Sequence, residues 1–117
     1  YDDNAIYSNS FENGQQHVGH AAVIAWYHKF LGKRSGYYKY MRHKIFEPFI
    51  SIYGDKARSL THFDADSVDR ESMIRGITGR YEDDFVKRNG NWLISRRHVE
   101  VHYHHTIGKA HEFKGWG

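Results

Sequence analysis

The sequence predicts an α+β domain, in which a curved antiparallel sheet wraps around helical structure to form a cone with an internal pocket. Three observations carry this: an amphipathic helix early in the chain, four long strand-like runs after it, and an aromatic content of 16% in 117 residues. Four such strands cannot close a barrel alone, but they can curl around a helix that precedes them.

The opening residues, Tyr1 to Asn9, alternate weakly and run into Glu12-Asn13-Gly14, a short strand followed by a turn. Between Gly19 and Leu31 the period changes. Ala21, Ile24, Ala25, Tyr27, His28 and Leu31 recur at helical spacing, Val23, Trp26 and Phe30 widen the apolar face, and Gly32 supplies a stop. Residues 37–53, 56–67, 72–87 and 91–105 read as four strands separated by Gly54-Asp55, by the polar run from Ser67 to Glu71, and by Asn89-Gly90. Asn-Gly favours a two-residue hairpin because both central residues of a type I′ turn need positive φ. Three consecutive hairpins make a meander. The stretch from Thr106 to Gly117, with Phe113 and Trp116 among Gly and Lys, reads as a docking tail or a partly disordered end.

This length fits one domain with one modest core, so a single domain over residues 1–117 is expected, and a homodimer or homotrimer would add burial. No cysteine is present, which removes disulfides and thiolate metal sites and fits a reducing compartment, with the cytoplasm as the expected location. No run approaches the ~20 apolar residues of a membrane span, and no leader pattern opens the sequence. Seventeen basic residues interleave with fourteen acidic ones, a net charge of +3 without a basic block. That distribution argues against nucleic acid as a partner, which needs a basic stripe or patch. Nine Tyr, seven Phe and three Trp mainly fill a β-rich core, and some line a pocket for a small hydrophobic molecule.

Two-residue turns fix register. Counting outward from Gly54-Asp55 sets Glu47 opposite His62 and His43 opposite Asp66, so that His43 and Asp66 share a face with Leu60, His62 and Asp64. Counting from Asn89-Gly90 sets Glu82 opposite Arg97, Asp83 opposite Arg96, and Tyr81 opposite His98. A His beside a carboxylate in an apolar cone is a workable proton-transfer site, because imidazole titrates near working pH and a carboxylate can orient it. The same residues also suit a polar surface strand. Arg97 can stabilise an oxyanion or a departing anion, or it can form a cross-strand ion pair with Glu82. His98, His102 and His104 fall on one face by simple alternation and can offer imidazoles to Zn²⁺, but no further ligand completes a set, and no metal is expected. No phosphate-binding glycine loop, nucleophile elbow or dinucleotide fingerprint occurs, and no cofactor is expected.

The segment from Tyr81 through Asn89-Gly90-Asn91-Trp92 to Arg97 resembles the closing hairpin of the SnoaL-like family, which has the nuclear-transport-factor-like cone fold. The pattern is a Tyr, a turn ending in Gly, a Trp with a β-branched residue two positions on, and a basic residue five after the Trp. Met41-Arg42-His43 with Glu47 and Gly54-Asp55-Lys56-Ala57 resembles the family's His-bearing strand and turn, and Gly19 to Ile24 resembles its middle helix. The resemblance implies a cofactor-independent lyase or isomerase, dehydratase-like or dehydrohalogenase-like, or a non-catalytic ligand-binding or structural relative. It implies His43 as general base, Arg97 as the group that binds the substrate or leaving group, and Asp66 or His62 as an assisting residue. His62, Trp26, Phe30 and Tyr103 are the expected substrate-binding residues. The resemblance also leads one to expect a first helix bearing a carboxylate ahead of Tyr1, and the sequence as it stands holds none.

Overall fold

The computed structural model describes residues 1–34, 36–111 and 113. Strand β1 (Ile6–Asn9) leads through a 3-10 turn to β2 (His17–Val18) and to helix α1 (His20–Arg34). The strands β3 (Tyr38–Ile45), β4 (Phe49–Tyr53), β5 (Lys56–Asp69), β6 (Met73–Arg88) and β7 (Asn91–Lys109) follow. They form one sheet in the order β2-β1-β7-β6-β5-β3, with β4 sharing the outer edge of β5 with β3. The meander is antiparallel, and β1 joins it parallel to β7. This is the expected open, curved α+β cone. Among the described residues no helix is long and apolar enough to cross a membrane.

The core sits where α1 meets the concave sheet. Ala5, Tyr7, Val23, Phe63, Ala65 and Val99 are buried together, with Trp26, Tyr27, Ile77 and Tyr81 packed against them. The inward stripe of α1 is Val23, Trp26, Tyr27 and Phe30, at helical spacing, whereas Ile24 and Leu31 are exposed. Of the expected apolar face, Ala21, Ile24, Ala25, His28 and Leu31 are therefore corrected to exposed positions, while Tyr27 and the widening residues Val23, Trp26 and Phe30 take the core side, the aromatic ones having more area to bury.

Two departures from simple counting change the expected partners of His43 and Arg97. The run expected as one strand over residues 37–53 breaks at Phe46-Glu47-Pro48, where proline has no N–H for a ladder. Tyr53 pairs with Lys56 as counted, but beyond the break the register slips by one, so Arg42 faces Asp66 and His43 faces Ala65. The second departure is a bulge on β7. Arg88 pairs with Asn91 as counted, then Ser95 is left unpaired, and its hydroxyl donates to the Asp84 carbonyl at 3.1 Å. Arg97 therefore faces Asp83 rather than Glu82, Arg96 faces Asp84, and His98 faces Glu82.

A further bulge leaves His102 unpaired opposite Thr78 and Gly79. Gly79 permits it, because a Cβ there would lie 2.2 Å from the Glu100 carbonyl oxygen. Strand β7 runs to Lys109, beyond the expected end at His105, so the first part of the expected tail is strand. Phe113 is exposed, and Trp116 lies outside the described residues.

Candidate functional site

Between α1 and the concave sheet lies a cavity of about 640 Å³, within the size range of small-molecule sites. Trp26 stacks on Phe30 at 4.8 Å between ring centres and lies 4.3 Å from Tyr7, which makes the helix-side wall aromatic. The sheet side is Phe63 stacked on Tyr81 at 4.7 Å, with Ala65, Ile77 and Val99 alongside.

Among the polar groups that interrupt this apolar lining are Arg97 and His43. Arg97 gives two parallel hydrogen bonds to Asp83, Nε to Oδ1 at 2.8 Å and Nη2 to Oδ2 at 2.9 Å, and its guanidinium lies over the Tyr81 ring at 4.5 Å. Burial alone would lower the Arg97 pKa, but the hydrogen bonds and charge of Asp83 outweigh it and hold the guanidinium firmly cationic. Asp83 occupies the Nε and Nη2 edge, and no described residue hydrogen-bonds Nη1. Close by, the Tyr1 and Tyr27 hydroxyls hydrogen-bond at 2.7 Å, and burial, followed by that bond, pushes the Tyr1 phenol above its usual range. Burial raises Tyr81 in the same way.

His43 stands on β3, with its ring 6.5 Å from Phe63. Facing Ala65, it shares the cavity side of the sheet, and the register slip that separates it from Asp66 leaves it there. Asp66 borders the mouth, but its carboxylate accepts from Arg42 Nη2 at 2.5 Å, so the expected His43 and Asp66 pair is not formed. No described residue hydrogen-bonds the His43 imidazole.

Of the expected binding residues, Trp26 and Phe30 line the cavity, while His62 and Tyr103 do not. His62 lies on the outer face near His102, 6.0 Å between rings, and Tyr103 is exposed opposite Thr78. The expected face shared by His98, His102 and His104 does not exist, because the bulge at His102 reverses the alternation. His98 bonds Ser8 and Glu100, His102 accepts from Arg80, and His104 turns to the cavity. Among the described residues no group of three or more His, Asp or Glu is arranged to hold a metal ion.

Sequence reasoning did not place Tyr27 in the site, set Asp83 opposite Arg96 rather than Arg97, and weighed His104 only as a metal ligand. Tyr27 was visible as a helical neighbour of Trp26, whereas Asp83 and His104 depend on unpaired residues in β7 that no turn signal announces.

The model of the SnoaL-like domain matches residues 2–98 of the chain. No curated protein matches it. Among solved structures, a type 2 hexachlorocyclohexane dehydrochlorinase superimposes with a TM-score of 0.77 at 17% identity, over 100% of this chain and 76% of that one. The type 3 enzyme of Novosphingobium barchaimii gives 0.78 at 14% identity, over 98% and 77%. A scytalone-dehydratase-like protein of Novosphingobium aromaticivorans gives 0.71 at 18% identity, over 93% and 72%. At such identities these likenesses establish the fold.

Proposed function

The chain belongs to the SnoaL-like domain family, and from that premise we propose that it is a cofactor-independent lyase or isomerase acting on a small hydrophobic cyclic molecule. The observation that supports this most is the contrast within the cavity: the His43 imidazole on one side and the Arg97 guanidinium on the other of the aromatic pair Phe63 and Tyr81. His43 removes a proton from carbon, and the Nη1 edge of Arg97, oriented by Asp83, holds the negative charge that develops. Two stacked rings, Phe63 and Tyr81, lie between these groups. A substrate that engages both therefore spans the Phe63 and Tyr81 pair.

A second reading, non-catalytic binding of the same class of molecule, is favoured by the fact that no carboxylate among the described residues bonds the His43 ring. We also propose a homodimer or homotrimer in the cytoplasm, in keeping with a cysteine-free chain and exposed apolar strands.

The test is a screen of bicyclic ketones and halides followed by His43→Ala. Turnover is expected to fall by about 10²–10⁴ with the fold intact, as for removal of a general base. Full activity in the folded variant rejects the mechanism, and a wild type that binds without converting favours the second reading.

A further inference from the structure

Strands β3 and β4 share one edge of the sheet, both pairing with the outer side of β5. Along that edge β3 carries Lys39, Arg42 and Lys44, whereas β4, Phe49-Ile50-Ser51-Ile52-Tyr53, has no charge, no proline and no bulge. At the opposite edge β2 is only two residues long. Charges, prolines, bulges and short length are the devices that keep a sheet edge from pairing with another chain, and among the described residues β4 is the edge segment that has none beyond its length. Its four apolar side chains are each more than half exposed. Tyr53 and Lys56 flank a two-residue loop and so form a hydrogen-bonded pair. Alternation then turns the N–H and C=O groups of Ile50 and Ile52 to the open edge.

The order of its residues selects the occupant. About Ser51 the strand has the same pattern in both directions, an isoleucine on either side and an aromatic ring beyond each, with Pro48 and Gly54 outside them. Such a strand is complementary to itself when antiparallel, because two-fold symmetry sets Ile50 against Ile52, Phe49 against Tyr53 and Ser51 against Ser51. We infer that β4 is the contact between two copies of this chain, pairing antiparallel with β4 of a second copy about an axis at Ser51. Two sheets then join into one. The inference rests on the proposed self-association and fixes its symmetry, since a two-fold contact of edge with edge closes at a dimer. Ile50 of one copy and Ile52 of the other exchange backbone hydrogen bonds, and the aromatic residues meet as cross-strand pairs, which stabilise antiparallel sheets. Pro48 ends the ladder, having no N–H to give. On the outer face Ser51 lies opposite Arg58, whose Nε donates to Asp84 at 2.8 Å, so no bare charge stands at the axis. Five residues a side make an interface below standard size, and dissociation on dilution is expected.

The test exploits a chain without cysteine. Opposed residues outside the hydrogen-bonded pairs lie about 4.5 Å apart between Cα atoms, within disulfide reach. Ser51→Cys is therefore expected to form a covalent dimer with oxidised glutathione, read on a non-reducing gel. Phe49→Cys and Tyr53→Cys each lie about 14 Å from their own copies across the axis and should stay single alone, whereas an equimolar mixture of the two should crosslink. In light scattering at high concentration the wild type is expected to be a dimer. Ser51→Lys, which sets a cation beside Arg58 in each copy, and Ile50→Pro, which removes an open-edge N–H, should halve that mass with an unchanged circular dichroism spectrum. Ser51 is exposed, so Ser51→Lys decides where Ile50→Pro does not fold. No crosslink in Ser51→Cys, equal crosslinking of Phe49→Cys or Tyr53→Cys alone, or a dimer that survives Ser51→Lys overturns the inference. A wild-type trimer overturns the two-fold contact and leaves the proposed self-association standing, and a monomer at every concentration overturns both.

Discussion

Asp83 is the residue on which the closed end of the cavity depends. Its side chain is 3% exposed and that of Arg97 25%, so the pair is taken largely out of water. Breaking such a pair by removing one partner leaves a charge without compensation, which costs far more than the pair contributes over an apolar substitute. Asp83→Asn is therefore expected to destabilise by about 3 kcal/mol, at the low end for a buried pair because Arg97 keeps some contact with solvent. The double variant Asp83→Leu/Arg97→Met should regain much of that loss, and urea titrations of the three proteins measure it. The single variant also tests orientation: a guanidinium freed from Asp83 still carries its charge but no longer presents Nη1 in a fixed direction.

At the scale of elements, β7 explains what could and could not be read from the sequence. The turns at Gly54-Asp55 and Asn89-Gly90 were legible from their glycines, and the first pair at each, Tyr53 with Lys56 and Arg88 with Asn91, follows from them. Strand existence and the closing-hairpin pattern around Trp92 were legible for the same reason, since they rest on local chemistry. The partners of His43 and Arg97 were not. Each lies beyond an irregularity, Pro48 in one case and Ser95 in the other, and a count of residues carries no record of an unpaired one. Gly79 is the residue that pins the next bulge. Gly79→Ala forces its new Cβ against the Glu100 carbonyl, so backbone must move, and a loss of roughly 1–3 kcal/mol is expected, as for overpacking. The melting temperature measures that loss.

The molecule as a whole is extended, 56 × 28 × 26 Å, with a radius of gyration of 17.0 Å. A compact globule of this length would measure about 13 Å. The excess comes with exposed apolar strands: Phe49, Ile50, Ile52 and Tyr53 of β4 are each more than half exposed, on an edge without a charged residue. Light scattering is expected to give a dimer or trimer, and a monomer across the working concentration range would remove that expectation.

Stability should also fall at both extremes of pH. Asp69 is held below the usual carboxylate range by the Met73 and Glu71 amides, Asp2 by Arg88, and Glu100 by His98. These depressed carboxyls stabilise the fold above the unfolded-state value near pH 4, and that contribution is lost as pH falls through their folded values. Tyr1, Tyr7 and Tyr81 are raised, mainly by burial, so their contribution is present below about pH 10 and lost as pH rises through their folded values. Urea midpoints across pH should therefore form a plateau, and in an ultraviolet titration part of the phenolate signal should appear only with alkaline unfolding.

The unpaired residues of β7 make the strand a matter of parity. Between Ser95 and His102 the odd-numbered residues Arg97, Val99 and Val101 face the core, and past His102 the even-numbered His104 does. Loss or gain of one residue in that interval would put Arg97 and His104 out of phase with each other, so that one of them must face solvent. Loss of two would restore the phase but slide Arg97 past Asp83. The interval is thus a spacer of fixed length, where an exchange of side chains is a local event and a change in their number rewrites both ends of the cavity, so tolerated insertions in this hairpin belong at the Asn89-Gly90 turn.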